Sequence, residues 1–171
     1  STGISVLSEE SGYVDRGNDD GLLWIVDPLD GSVNYLRRAG ACAVSIALWK
    51  EMSPVFGVVY RIDTGVMAWG GRGLGGAWQE QSLLRTSTIS DRKAAVLYTG
   101  IPARFEVCDP VATGKLNQMM FSFGKVRMLG SATCSLLLVA AGVGDAYWEQ
   151  DIMLWDVAAG LALVEGAGGL F

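Results

Sequence analysis

Between Ala41 and Gln79 four apolar runs follow one another too closely for any wandering connection. They are "ACAVSIALW" (41–49), "PVFGVVY" (54–60), "GVMAWG" (65–70) and "GGAWQ" (75–79), with only short turn segments between them. Parallel strands need crossovers of roughly a dozen residues or more, so these runs read as an antiparallel meander. "WKEMSP" and "RIDTG" supply two of its hairpin turns.

On the N-terminal side, "ISVLS" (4–8) alternates and is β-branched, the pattern of a short strand that ends on Glu9 and Glu10. "SGYVDRGNDDG" (11–21) reads as a polar loop. "LLWIV" (22–26) is continuously apolar, as in a strand covered on both faces. After a polar linker near 80–93 the pattern changes. "AAVLYTG" (94–100), "KVRMLG" (125–130) and "DAYWE" (145–149) are strand-like, and three helical stretches lie among them. The first is 109–123, with Val111, Leu116, Met119 and Met120 on one side. The second is 131–141, with Ser131 as N-cap and Gly142 as its close. The third is 154–169, with Val157, Leu161 and Val164 on one stripe. Strands followed by intermixed helices predict sheets covered by helices, an α/β class of the layered α+β kind.

Half of the 171 residues are hydrophobic, enough for one core and a single domain over 1–171. The 13 basic residues are scattered, Arg37-Arg38 being the densest pair, and the net charge is −5, so no nucleic-acid footprint is expected. Arg37-Arg38 reads either as a mouth for an anionic substrate or as solvated surface. The longest apolar run, Leu136 to Gly142, is far too short to span a bilayer. Ser1 opens on a polar-apolar mixture without a signal-peptide pattern. Cys42, Cys108 and Cys134 are widely spaced in apolar or small-residue surroundings, predicting reduced, mostly buried thiols in a cytoplasmic protein.

The chain has no histidine. Ser-His-Asp and Cys-His catalysis and His-ligated zinc are therefore closed to it, and hydrolytic chemistry has to run on carboxylates, hydroxyls and oxygen-liking metals. Carboxylates do gather at the ends of apolar runs: Glu9-Glu10 after the first strand, Asp27 and Asp30 in "DPLDGS", and Asp156 in "WDVAAG". Each has an ordinary reading, as a solvated strand end, a DPxDG turn or a helix-start acid. Together they suit Mg²⁺, which takes oxygen ligands, whereas converging acids without a cation would repel and raise one another's pKa. Gly31 would let the backbone approach a ligand, and "GSVNYL" can begin a short helix whose free N–H groups face an anion. Gly130-Ser131 could offer a second set of amides.

These segments resemble the inositol monophosphatase superfamily of Mg²⁺-dependent, lithium-sensitive sugar and polyol phosphatases, over nearly the whole chain. "SEES" is similar to its Glu-Glu motif, "WIVDPLDGSVNY" to its W-[IV]-[IV]-D-P-[IL]-D-G-[TS]-x-N-[FY] signature, and "WDVAAGLALVEGAGG" to its C-terminal signature. "GSAT" and "DAYWE" resemble substrate-side segments. The resemblance implies the αβαβα sugar-phosphatase sandwich, two or three Mg²⁺ ions and commonly a homodimer. It implies that Glu9 binds the first metal and helps activate a water. Asp27 bridges metals, the Leu29 carbonyl ligates the first, and Asp30 with Asp156 holds the second. Ser32, in place of the usual Thr, orients the water. The Gly31 and Ser32 amides hold phosphate, while Glu149, Ser131 and Ala132 line the substrate pocket. The choice of Glu9 over Glu10 rests on the resemblance alone.

The implied reaction is in-line attack of an activated water on a small phosphate monoester, without a phosphoenzyme. The Asp-x-x-Asp spacing differs from the Asp-x-Asp of haloacid-dehalogenase phosphatases. Inositol monophosphate is the default substrate; fructose bisphosphate, histidinol phosphate and 3′-phosphoadenosine 5′-phosphate belong to relatives. "DGSVNY" is closer to the inositol and fructose branch than to the nucleotide branch. A non-catalytic regulatory homologue is the rival reading. The family carries an N-terminal helical pair, including an acid that partners the Ser/Thr hydroxyl, and continues past the final Gly-Gly. The 171 residues are therefore expected to be a piece of a longer domain.

Overall fold

The computed structural model describes residues 3–17, 21–102 and 108–171. Eight strands form one sheet: β1 (Ser5–Ser8), β2 (Gly12–Val14), β3 (Leu22–Asp30), β4 (Ala43–Lys50), β5 (Ser53–Arg61), β6 (Met67–Gly71), β7 (Gly76–Gln79) and β8 (Ser82–Leu83). Their order is β2-β1-β3-β4-β5-β6-β7-β8. The pairing is antiparallel except between β1 and β3, which run parallel. The meander over 41–79 is thus as the short connections dictate. Stacked Trp69 and Trp78, a cross-strand pair with centroids 4.9 Å apart, help hold its β6–β7 hairpin.

A second, parallel sheet has the order β10-β9-β11, from β9 (Val96–Thr99), β10 (Lys125–Arg127) and β11 (Ala146–Trp148). Between the sheets lie α3 (Ala132–Ala140) and α4 (Leu154–Gly166), packed on each other, α4 against the large sheet and α3 against the small one. Burial on nearly all sides explains their composition. Ala158, Ala159, Ala162 and Leu163 of α4 are almost inaccessible, as are Cys134, Leu137 and Ala140 of α3. Small residues let backbones approach. At Gly57 of β5 a Cβ would stand 2.5 Å from the Ala159 carbonyl oxygen of α4, so sheet and helix touch through a bare Cα. Two further α-helices, and a 3-10 turn at Arg72–Leu74, complete the described elements. The helices are α1 (Ser32–Arg37), directly after β3, and α2 (Pro110–Ser122), capped by the Asp109 side chain accepting the Val111 N–H at 2.8 Å.

Some expectations fail for local reasons. The loop read over 11–21 contains β2, whose three residues are too few to show a period but pair with β1, Val14 opposite Val6; residues 18–20 of that segment lie outside the described ones. The linker near 80–93 contains β8, two residues that close a hairpin on β7. Val111 is 65% exposed and not on the inner side of α2, where Leu116 is the buried residue. Helix α4 ends at Gly166 and not at 169. Cys42 and Cys134 are buried free thiols, but Cys108 is exposed. No helix among the described residues is long and apolar enough to cross a membrane.

Candidate metal centre

Strand β3 does not stop at Val26. It runs on through Asp27 and Pro28 to Asp30, with a register shift against β4 between Asp27 and Asp30. Pro28 lacks an N–H, so the ladder has to break there, and the irregularity re-aims both acids. Gly31 then turns the chain at φ +78°. A Cβ at that position would stand 2.6 Å from the Ala41 carbonyl oxygen, so both conformation and space require glycine. Helix α1 starts at the next residue. Asn34 on it ties the turn down, its Nδ2 donating to the Leu129 carbonyl at 2.7 Å and the Ala41 carbonyl at 3.0 Å.

The N-terminal turn of α3 supplies the other support. Ser131 caps the helix, its Oγ accepting the Cys134 N–H at 3.1 Å and donating to Asp30 Oδ2 at 2.6 Å. The Thr133 N–H donates to the same Asp30 oxygen at 2.7 Å, and the Thr133 hydroxyl donates to the Asp156 carbonyl at 2.9 Å. One residue therefore fixes the separation between β3 and the first turn of α4.

Oxygens of Asp27, Asp30 and Asp156 lie within 4.8 Å of one another. Asp27 is fully buried; its Oδ1 accepts the Leu29 N–H at 2.9 Å, and its Oδ2 is a buried side-chain oxygen with no partner. An unpartnered buried acceptor costs about 1–3 kcal/mol, and more when it is charged, so it points to a cation. Burial pushes the Asp27 carboxyl up to about 7, against the pull of the Leu29 N–H, and the charges of Asp30, Glu9 and Asp156 add to the rise. Burial, then Asp30, lifts Asp156 to about 6. Asp30 is also raised by burial, opposed by its Ser131 and Thr133 hydrogen bonds. Like charges were the anticipated cause; desolvation leads. With oxygen donors only and no nitrogen or thiolate, the set fits a hard divalent cation such as Mg²⁺.

Glu9 is exposed and stands outside the three-carboxylate cluster, yet it lines the same cavity of roughly 200 Å³ together with Leu29, Gly31 and Ser32. Glu10 is not among the lining residues. A larger cavity, about 520 Å³, adjoins it and shares Asp30, Val33, Gly130 and Asp156 with it. Ser131, Ala132 and Glu149 line this second space. The structure thus places the ten candidate residues around two connected cavities, while bringing only three carboxylates into mutual contact range. Thr133 and Asn34 went unrecognised as supports. Both lie inside the quoted "GSAT" and "GSVNYL" stretches, but their partners are far away in sequence. Thr99, Gly100 and Asp151, which also line the larger cavity, carried no sequence signal.

The inositol monophosphatase family is matched over residues 2–171. An inositol-1-monophosphatase of Caulobacter vibrioides is 36% identical over 98% of this chain and 65% of its own length. A protein of Escherichia coli named Nus factor SuhB is 34% identical, over 97% of this chain and 61% of its own. A fructose-1,6-bisphosphatase/inositol-1-monophosphatase of Aquifex aeolicus is 31% identical, over 97% and 62%. The chain therefore spans somewhat under two thirds of the length of these curated relatives. Among solved structures, the inositol monophosphatase of Anabaena (Nostoc) superposes with a TM-score of 0.87 at 36% identity, covering 96% of this chain and 65% of that one.

Proposed function

The chain belongs to the inositol monophosphatase family, and on that premise we propose that it carries the core of a Mg²⁺-dependent phosphomonoesterase acting on a small sugar or polyol phosphate. Inositol monophosphate is the first substrate to try. The observation that carries the reading is the unpartnered, buried Asp27 Oδ2 inside the Asp27–Asp30–Asp156 cluster.

Asp27, Asp30 and Asp156, joined by Glu9 and the Leu29 carbonyl, are the groups that would hold the metal. Two or three Mg²⁺ ions bound there supply Lewis-acid stabilisation of phosphoryl charge and make water more acidic. The chain's own residues do the rest. The Gly31 and Ser32 N–H groups bind phosphate oxygens at the turn that opens α1. The Ser32 hydroxyl orients the attacking water, and Glu9 takes its proton. As the water oxygen bonds to phosphorus, the ester P–O bond breaks and the proton is delivered to the departing alcohol oxygen. Ser131, Ala132 and Glu149 receive the alcohol part in the larger cavity.

Lithium sensitivity, a homodimer and a cytoplasmic location belong to the same proposal. The rival regulatory reading draws its support from relatives named Nus factor SuhB; the retained carboxylates favour catalysis. Phosphate release from a panel of sugar, polyol and nucleotide monoesters and bisphosphates, with Mg²⁺ and a lithium titration, is the test. Asp30→Asn is expected to abolish release. A panel without any Mg²⁺-dependent release would end the phosphatase reading.

A further inference from the structure

Strands β9 and β11 run parallel, with Tyr98 opposite Tyr147 and Thr99 opposite Trp148. The Thr99 hydroxyl donates to the Trp148 carbonyl at 2.5 Å, so the two strands are stitched together at their ends. One step further along each chain, Gly100 meets Glu149. A Cβ on Gly100 would overlap the Glu149 carboxylate, at 2.5 Å from its Cδ. Gly100 is not in the left-handed region, so its backbone alone does not demand glycine. What demands it is the carboxylate lying across the bare Cα. The Tyr147 hydroxyl, itself half-buried, donates to Glu149 Oε2 at 2.6 Å, the length of a charge-assisted bond.

Gly100 and Glu149 both line the larger cavity. With Oε2 engaged by Tyr147, the other carboxylate oxygen remains to accept from a hydroxyl of the bound alcohol. We propose that Gly100 and Tyr147 are positioning residues that aim the Glu149 carboxylate into this cavity and so set selectivity for phosphate esters whose alcohol part bears hydroxyls; the proposal deepens, and rests on, the phosphatase reading. The atoms a Cβ at Gly100 would displace are the carboxylate end of a flexible side chain, so Gly100→Ala is expected to leave the fold intact and move the carboxylate. Tyr147→Phe removes one oxygen and keeps the ring.

The test is affinity, in Mg²⁺, for inositol monophosphate and for phenyl phosphate, which lacks hydroxyls, read as KM for an ester that is hydrolysed and as a calorimetric Kd for one that is not. Gly100→Ala, Tyr147→Phe and Glu149→Ala are each expected to weaken inositol monophosphate by about tenfold, the weight of one such hydrogen bond. Phenyl phosphate stays within about twofold under Tyr147→Phe, and Tyr147→Phe adds less than about twofold for inositol monophosphate in a Glu149→Ala background. Equal weakening of both esters, or an additive Tyr147→Phe effect in that background, overturns the clamp. Equal affinity of the parent protein for the two esters also overturns it, with the hydrolysis reading still standing. Binding of both esters without hydrolysis removes the phosphatase reading, while the affinity ratios still decide the clamp. Absence of any binding sinks both.

Discussion

Asp27→Asn is expected to make the metal-free protein more stable at pH 8 while removing its response to Mg²⁺. The Asp27 carboxyl is held at about 7 against an ordinary 3.8, chiefly by burial. That difference of about 3 pH units, at ~1.4 kcal/mol each, means that ionising Asp27 in the folded state costs up to about 4 kcal/mol. The sign follows from proton binding. Below pH ~4 both states hold the proton and nothing is lost. From pH ~4 to ~7 the unfolded chain releases its proton and the folded one keeps it, so stability falls as pH rises, and above ~7 the loss is complete. Asparagine keeps an acceptor for the Leu29 N–H and never pays this charge. An amide there would lie close to the carboxylates of Asp30 and Asp156, oxygens of the three residues being within 4.8 Å of one another in the parent. In EDTA the variant should therefore exceed the parent by only about 1 kcal/mol near pH 4.5 and by about 2–4 kcal/mol at pH 8. Adding Mg²⁺ should raise the parent's midpoint at pH 8 and leave the variant's unchanged. Urea unfolding at the two pH values, with EDTA and then with Mg²⁺, gives all four numbers. A variant less stable than the parent at pH 8 in EDTA, or a difference independent of pH, refutes the reasoning.

Three other substitutions probe the scaffold. Gly31→Ala meets both the left-handed backbone and the Ala41 carbonyl, so a loss of about 2–4 kcal/mol is expected in urea unfolding, together with loss of phosphate release; unchanged stability would show that the turn can relax. Thr133→Val removes the hydroxyl bond to the Asp156 carbonyl but keeps the amide bond to Asp30. It should cost about 1 kcal/mol and weaken Mg²⁺ binding measured by calorimetry, with inorganic phosphate affinity at fixed saturating Mg²⁺ little changed. Gly57→Ala should cost about 1–3 kcal/mol by forcing β5 away from Ala159. A midpoint equal to the parent's would mean that the contact between sheet and helix is not tight.

The meander was legible because its signals are local: alternating or continuous apolar runs, with turn residues at short intervals. Elements of two or three residues, such as β2 and β8, were not, because their pairing is decided by a neighbouring strand and not by their own pattern. The continuously apolar run that marks β3 ends at Val26, and the structure carries the strand past Pro28 through a break in register. Within the site, Asp27, Asp30 and Asp156 stood out as acids anchored by apolar runs. The preference for Glu9 over Glu10 rested on resemblance, and what separates the two adjacent, identical side chains is the cavity lining and the reach of the Glu9 charge to Asp27 and Asp156. That Ser131 and Thr133 hold Asp30 could not be read, because those bonds join residues 101 and 103 positions apart. Nor could the carboxylate of Glu149 explain Gly100, since a glycine required by space alone leaves no trace in periodicity.

The separation of those partners has a kinetic side. A carboxylate cage drawn from the end of β3 and the start of α4, and fixed by the N-terminal turn of α3, does not exist until chain segments more than a hundred residues apart have docked. Closing so long a loop is slow, and its contacts belong to the last stages of assembly. On the proposed metal reading, cation capture would be a finishing step: it should leave the folding rate nearly untouched and act almost wholly on the rate of unfolding, making the metal a latch on a structure already formed.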